Sequence, residues 1–98
     1  MTRVEVIERL KNAETHLRAM GVEHLSLFGS VARGDETPSS DIDLAAIFRS
    51  EQRIGLFQYA AIAFELESIL GGAVDLVGEP ARKPRMQIEI DRDRVHVF

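Results

Sequence analysis

The chain reads as an α/β (α+β) domain, a small sheet flanked by helices. Three observations predict that class. Two long segments carry apolar residues at helical spacing, and each closes on glycine. Short apolar runs of strand length follow them: His24–Phe28, Ile42–Phe48 and Ala73–Val77. Polar loops punctuated by proline separate the runs, Asp35–Ser40 around Pro38 and Glu79–Pro84 with two prolines. A length of 98 residues accommodates one core and no second, so residues 1–98 are expected to form a single domain.

Each element has a local reason. Thr2-Arg3-Val4-Glu5 fits a capping box, with Thr2 as N-cap and Glu5 reaching back. Val6, Leu10, Ala13, Leu17 and Met20 then share a helical stripe, which predicts a helix over about 3–20 closed by Gly21. His24–Phe28 is the first strand, and a short helix runs from Ser30 to Gly34. Ile42–Phe48 is nearly all apolar, so it is expected to be buried on both faces. The second long helix covers Ile54–Leu70 and ends at Gly71-Gly72. Ala73–Val77 is the third strand, Arg85–Asp93 a further short helix, and Val95–Phe98 a last strand. The resulting order is α-β-α-β-α-β-α-β.

Composition narrows the function classes. Cysteine is absent, which excludes a disulfide framework and a thiolate metal site. No apolar run approaches the roughly 18 residues that span a bilayer, and the charged N-terminus MTRVEVIERLKN lacks a signal-peptide core. A cytoplasmic protein without a membrane association is expected. The formal net charge is −4 and the basic residues are scattered, which argues against bulk nucleic-acid binding. A nucleotide ligand remains compatible, because a metal can carry its charge.

The chemistry concentrates in GSVARGDETPSSDID, Gly29 to Asp43. Gly29-Ser30 closes the apolar run Leu25-Ser26-Leu27-Phe28, at a strand-to-helix turn where backbone N–H groups and a hydroxyl can meet a phosphate. Ten residues intervene before Asp41, and Asp43 follows two further on. On a strand, positions i and i+2 project from one face, so the two carboxylates repel unless a cation joins them. Oxygen-only ligands of this kind suit Mg²⁺. Asp75 adds a third carboxylate inside the apolar strand AVDLV, where an unpaired charge is expensive unless it faces the same site. Taken alone, each feature has a plain structural reading: a turn, a solvated strand end, a strand edge. Their order and spacing together are what point to a site.

This pattern, and the stretch LFGSVARGDETPSSDIDLAAIF, resembles the nucleotidyltransferase superfamily typified by DNA polymerase β. Within it the chain is similar over essentially its whole length to the minimal nucleotidyltransferases (MNT), and most of all to MntA-type antitoxins encoded beside a HEPN-domain toxin. Gly29, Ser30, Arg33, Gly34, Asp41, Asp43 and Asp75 fall in register with the family pattern, whereas Val31 stands where the family often carries Arg. The resemblance implies a polymerase β-like fold with a small mixed sheet. It implies that Gly29 and Ser30 bind the β- and γ-phosphates of ATP, and that Asp41, Asp43 and Asp75 ligate two Mg²⁺ ions. Asp75 would also accept or orient the proton of the attacking hydroxyl. Arg33 would reach the triphosphate or pair with Asp35. The implied activity is transfer of AMP to a tyrosine of a HEPN toxin partner in a prokaryotic cytoplasm, within a hetero-oligomer.

Two further expectations concern that partner. Larger relatives carry an added acceptor domain, and this length leaves nothing to build an acceptor pocket, so another chain is expected to present the hydroxyl. On the second long helix the polar residues Gln58, Glu65 and Ser68 fill a narrow sector, while apolar residues spread over roughly 240°, wider than the ~100° stripe that covers a sheet. Leu56, Phe57, Ala60, Ala63 and Phe64 are therefore expected to face a partner. The alternatives are an antitoxin that acts by contact alone, or a nucleotidyltransferase acting on a small molecule with a separate acceptor subunit. His16, His24, His96 and Tyr59 read as surface or packing residues, and Arg82, Lys83, Arg85, Arg92 and Arg94 as a solvated face.

Overall fold

The computed structural model describes residues 1–49 and 54–98. In chain order it contains α1 (Arg3–Asn12), α2 (Glu14–Ala19), β1 (Val22–Phe28), α3 (Gly29–Arg33), β2 (Ile42–Phe48), α4 (Leu56–Leu70), β3 (Val74–Gly78), α5 (Pro84–Asp93) and β4 (Val95–His96). The four strands form one mixed sheet in the order β3-β2-β1-β4. β1 runs antiparallel to both β2 and β4, and β2 runs parallel to β3. A mixed sheet flanked by helices is the fold the sequence predicts.

Strand alternation sorts the side chains into two layers. Leu25, Leu27, Ile42, Leu44, Ala46 and Leu76 point to one face, where Val6, Leu10, Leu17, Ile62, Leu66 and Leu70 of α1, α2 and α4 cover them. Phe28 and Ala45 point to the other, where α5 adds Ile90 and Met86 and β3 adds Val77. The second cluster is small. It stops short of Asp43 and Asp75, which occupy the same face, and so leaves the sheet open there.

Several boundaries differ from expectation for identifiable reasons. The helix expected over 3–20 breaks at Ala13, whose ψ of 6° leaves the helical region. Asn12, a residue type of low helix propensity, precedes the break. The capping box itself is present, with Thr2 and Glu5 bonded reciprocally at 3.3 Å. β1 starts two residues earlier than read, at Val22, because Val22 pairs with Phe48 across a register shift. α4 begins at Leu56 rather than Ile54, since Gly55 takes the extended N-cap conformation. β3 is shifted one residue on, to Val74–Gly78, and β4 is confined to Val95–His96. β2 is not buried throughout: Ile47 is exposed and Asp43 is half-buried. Among the described residues no helix is long and apolar enough to cross a membrane.

On α4, four of the five residues expected to face outward are exposed and Ala63 is not. Gln58 and Glu65 lie toward the first helices, Gln58 donating to the Met20 carbonyl just past α2 at 2.8 Å and Glu65 pairing with His16 of α2 at 3.2 Å. Phe57 and Phe64, one heptad apart, stand 90% and 73% exposed, with Leu56 at 79%. Ala60 is exposed beside them, whereas Ala63 packs against the core.

Candidate active site

The site grows from the end of β1. Phe28 pairs with Asp43 of β2, and Asp43 pairs in turn with Asp75 of β3. Three adjacent strands thus set the Phe28–Gly29 turn, Asp43 and Asp75 in a row across one end of the sheet. Neighbouring positions in such a row are about 4.8 Å apart.

Gly29 is required twice over at the head of that row. Its φ of 77° lies in the left-handed region that side chains avoid. A β-carbon there would also sit 2.1 Å from Oδ2 of Asp43. The backbone turn and the carboxylate are therefore packed directly against each other. α3 begins at Gly29, one residue before the expected start, and Phe28 rather than a serine occupies its N-cap. The Ser30 hydroxyl makes no hydrogen bond among the described residues and is left facing the cleft with Gly29.

A cleft of about 390 Å³ opens above this floor, lined by Gly29, Ser30, Arg33, Asp43 and Asp75 from the sheet side. Its other wall is α5, which the sequence reading did not include. Met86, Glu89, Arg92 and Asp93 all reach it. Asp93 organises that wall. Its side chain is only 4% exposed and accepts from Arg33 Nη1 at 2.7 Å and Arg92 Nε at 2.9 Å. The Arg92 guanidinium, then that of Arg33, hold the Asp93 carboxyl down at about 2 despite its burial. Arg33 also donates to Asp35 at 3.1 Å. Pairing with Asp35, one of the two roles the sequence left open for Arg33, is thus realised alongside a place in the cleft. Arg92, read as part of a solvated face, belongs to the site wall.

The carboxylates on the floor are in the opposite state. Neither Asp41, Asp43 nor Asp75 has a hydrogen bond or ion pair among the described residues. Burial pushes Asp43 up to about 6, and the nearby charges of Asp75 and then Asp41 push the same way. Arg33 opposes this and does not prevail. Asp43 and Asp75 share the cleft; Asp41, in the loop before β2, lines the adjoining hollow formed by the 36–42 segment and the end of α4. As they stand, no three carboxylates or imidazoles among the described residues close on one point. The donor set is nonetheless of the right kind for a divalent cation: oxygen ligands only, mutually repelling, with the guanidinium of Arg33 committed to Asp35 and Asp93.

Known proteins resemble this chain over its length. The nucleotidyltransferase domain family matches residues 7–97. The protein adenylyltransferase MntA of Thermococcus cleftensis is 32% identical over 99 residues, which cover 99% of this chain and 98% of the relative. A solved structure described as a minimal nucleotidyltransferase superposes with a TM-score of 0.79 at 29% identity, covering 97% of this chain and 95% of that one. A chain from the complex of tri-AMPylated Shewanella oneidensis HEPN toxin with MNT antitoxin shares the fold at 21% identity, with a TM-score of 0.65 over 90% of this chain and 68% of its own.

Proposed function

The chain belongs to the nucleotidyltransferase domain family, and on that premise we propose that it is an ATP-dependent protein adenylyltransferase. In this reading it is the antitoxin of a toxin-antitoxin pair in a prokaryotic cytoplasm, and it transfers AMP to a tyrosine of a partner HEPN toxin, neutralising it. The observation that carries the reading is the row of Gly29, Asp43 and Asp75, with two unpaired carboxylates beside a turn stripped of its side chain. Asp43 stands half-buried and unpaired beside a second carboxylate, an arrangement that a bound cation would relieve.

Each residue then has a task. Gly29 lets a phosphate approach the backbone N–H groups of the turn, and Ser30 offers its uncommitted hydroxyl to the β- and γ-phosphates. Arg33, held by Asp93, presents positive charge to the triphosphate from the α5 side. Asp41, Asp43 and Asp75 would hold Mg²⁺, which when bound supplies charge neutralisation and alignment for nucleotidyl transfer. Asp75 stands at the far end of the row from the turn, where it can take the proton of an incoming hydroxyl. The relative of matching length is named for adenylyl transfer to protein, which supports a protein acceptor over a small molecule.

A second reading has one observation of its own. The exposed Phe57 and Phe64 of α4 would suit an antitoxin that works by contact alone. Co-expression with a candidate HEPN toxin, followed by incubation of the complex with α-labelled ATP and Mg²⁺, separates the two. Label on the toxin, lost on EDTA treatment and in Asp43→Asn, supports transfer. A tight complex that never takes up label leaves contact alone.

A further inference from the structure

The α5 wall of the cleft changes character along its length. At the C-terminal end Asp93 meets Arg33 of α3 at 2.7 Å, with Arg92 beside it. About one turn back stands Glu89, and three residues before that Met86. At 1.5 Å per residue these steps are about 4.5–6 Å each, close to the roughly 4.8 Å between neighbouring strands of the floor. Ile90 holds the alignment by packing against Phe28 and Ala45 of the sheet. The wall thus runs from charged to apolar beside a floor that runs from the Gly29 turn to Asp75.

Glu89 is the part of this wall that folding does not explain. It is partly buried, yet it has no hydrogen bond or ion pair among the described residues. Its neighbours on the helix are committed elsewhere: Arg92 gives both its contacts to Asp93, and Gln87 donates to Glu79 and Asp91. Glu89 lies near enough to Asp43 for its charge to add to the repulsion there. It does not close with Asp43 and Asp75 on a common point, so it is not placed as a third ligand of an ion on the floor.

An ionised carboxylate can only accept hydrogen bonds, and phosphate oxygens offer it none. The nearest donors past the phosphates of a nucleotide are the two vicinal hydroxyls of its sugar. The sugar follows the phosphates in the ligand as Glu89 follows Arg92 and Asp93 on the wall, and Met86 then begins an apolar surface that a base can cover. We infer that Glu89 selects the sugar: its two carboxylate oxygens accept from the 2′- and 3′-hydroxyls of a ribonucleoside triphosphate. The inference rests on the adenylyl-transfer reading for the placement of the phosphates and adds how the sugar is held. A site built to bond a hydroxyl rejects the analogue lacking it, because its own acceptor is then left unpaired.

The test measures affinities of ATP, 2′-deoxy-ATP and 3′-deoxy-ATP by calorimetry, on the full chain with Mg²⁺ and no partner. ATP is expected to bind about tenfold or more tighter than either deoxy analogue. Glu89→Ala should bring ATP down to the level of the analogues and leave theirs within about twofold. Glu89→Gln, which keeps one acceptor oxygen, should retain a smaller preference than the wild type. Equal affinities in the wild type would overturn the inference. So would a full preference surviving in Glu89→Ala, or an equal tightening of all the nucleotides in that variant, which would make Glu89 a source of repulsion alone. Each of those results leaves ATP bound and the adenylyl-transfer reading standing. Failure of every nucleotide to bind the wild type would instead bring down that reading, and the role of Glu89 with it.

Discussion

At the scale of single residues, the contact between Gly29 and Asp43 decides most. Replacing Gly29 by alanine imposes a left-handed φ on a side chain and drives its β-carbon into the Asp43 carboxylate. The backbone term alone costs about 1–2 kcal/mol, and Asp43 must move as well. Gly29→Ala is therefore expected to lower the urea midpoint and to weaken ATP binding together, as urea melts and calorimetry on one preparation would show. Asp43 itself predicts a pH dependence. Its folded pKa, raised by burial to about 6, lies above the usual 3.8. The metal-free folded chain thus holds this proton more tightly than the unfolded one. The stability so supplied is complete below pH about 3.8 and is lost as pH rises through about 6. Asp43→Asn should melt higher than wild type in EDTA at pH 8, by several degrees for a gain on the order of 1 kcal/mol. The gap should narrow as pH falls toward 4. A constant gap across that range would show that Asp43 does not titrate as described.

At the scale of elements, α5 and α4 carry what local reading could not supply. Gly29, Ser30 and Asp43 could be grouped in advance because they lie within one short stretch, and Asp75 because a charge inside AVDLV demands a reason; Asp41, from the same stretch, lines a separate hollow. Asp93 was not, since its partner Arg33 is 60 residues away. The one signal was an acid at a helix C-terminus, against the helix dipole. Asp93→Asn leaves Arg33 and Arg92 without their buried carboxylate. A loss of roughly 1.5–3 kcal/mol is expected, the usual worth of hydrogen bonds to charged groups, with a weaker hold on ATP as Arg33 keeps only its pair with the exposed Asp35. Denaturant unfolding and ATP titration would check both. On α4, the wheel named the outward apolar face, and Leu56, Phe57, Ala60 and Phe64 stand exposed while Ala63 packs inward. Phe57→Asp or Phe64→Asp should leave the melting temperature unchanged or higher, since neither ring packs in the core. Either variant should weaken co-purification of the partner while ATP affinity holds. A variant that keeps full partner yield would remove this face from the interface.

At the scale of the whole molecule, the active site is a meeting of early and late chain. The order of elements and the identity of the strands were readable from periodicity and turn residues. Their layering was not, because α5 reaches the floor only through the small cluster of Phe28, Ala45 and Ile90. The Gly29 turn is made in the first third of the sequence, yet the carboxylate that steadies Arg33 comes at residue 93, and β4 pairs with the centre of β1 only after that. Synthesis at about 5–20 residues per second takes some 5–20 s for 98 residues. For most of that interval a ribosome-bound chain holds the phosphate turn without its far wall. The cleft thus waits for residue 93, and a fragment stopping before α5 would carry every residue of the Gly-Ser and Asp-x-Asp stretch without the wall opposite it.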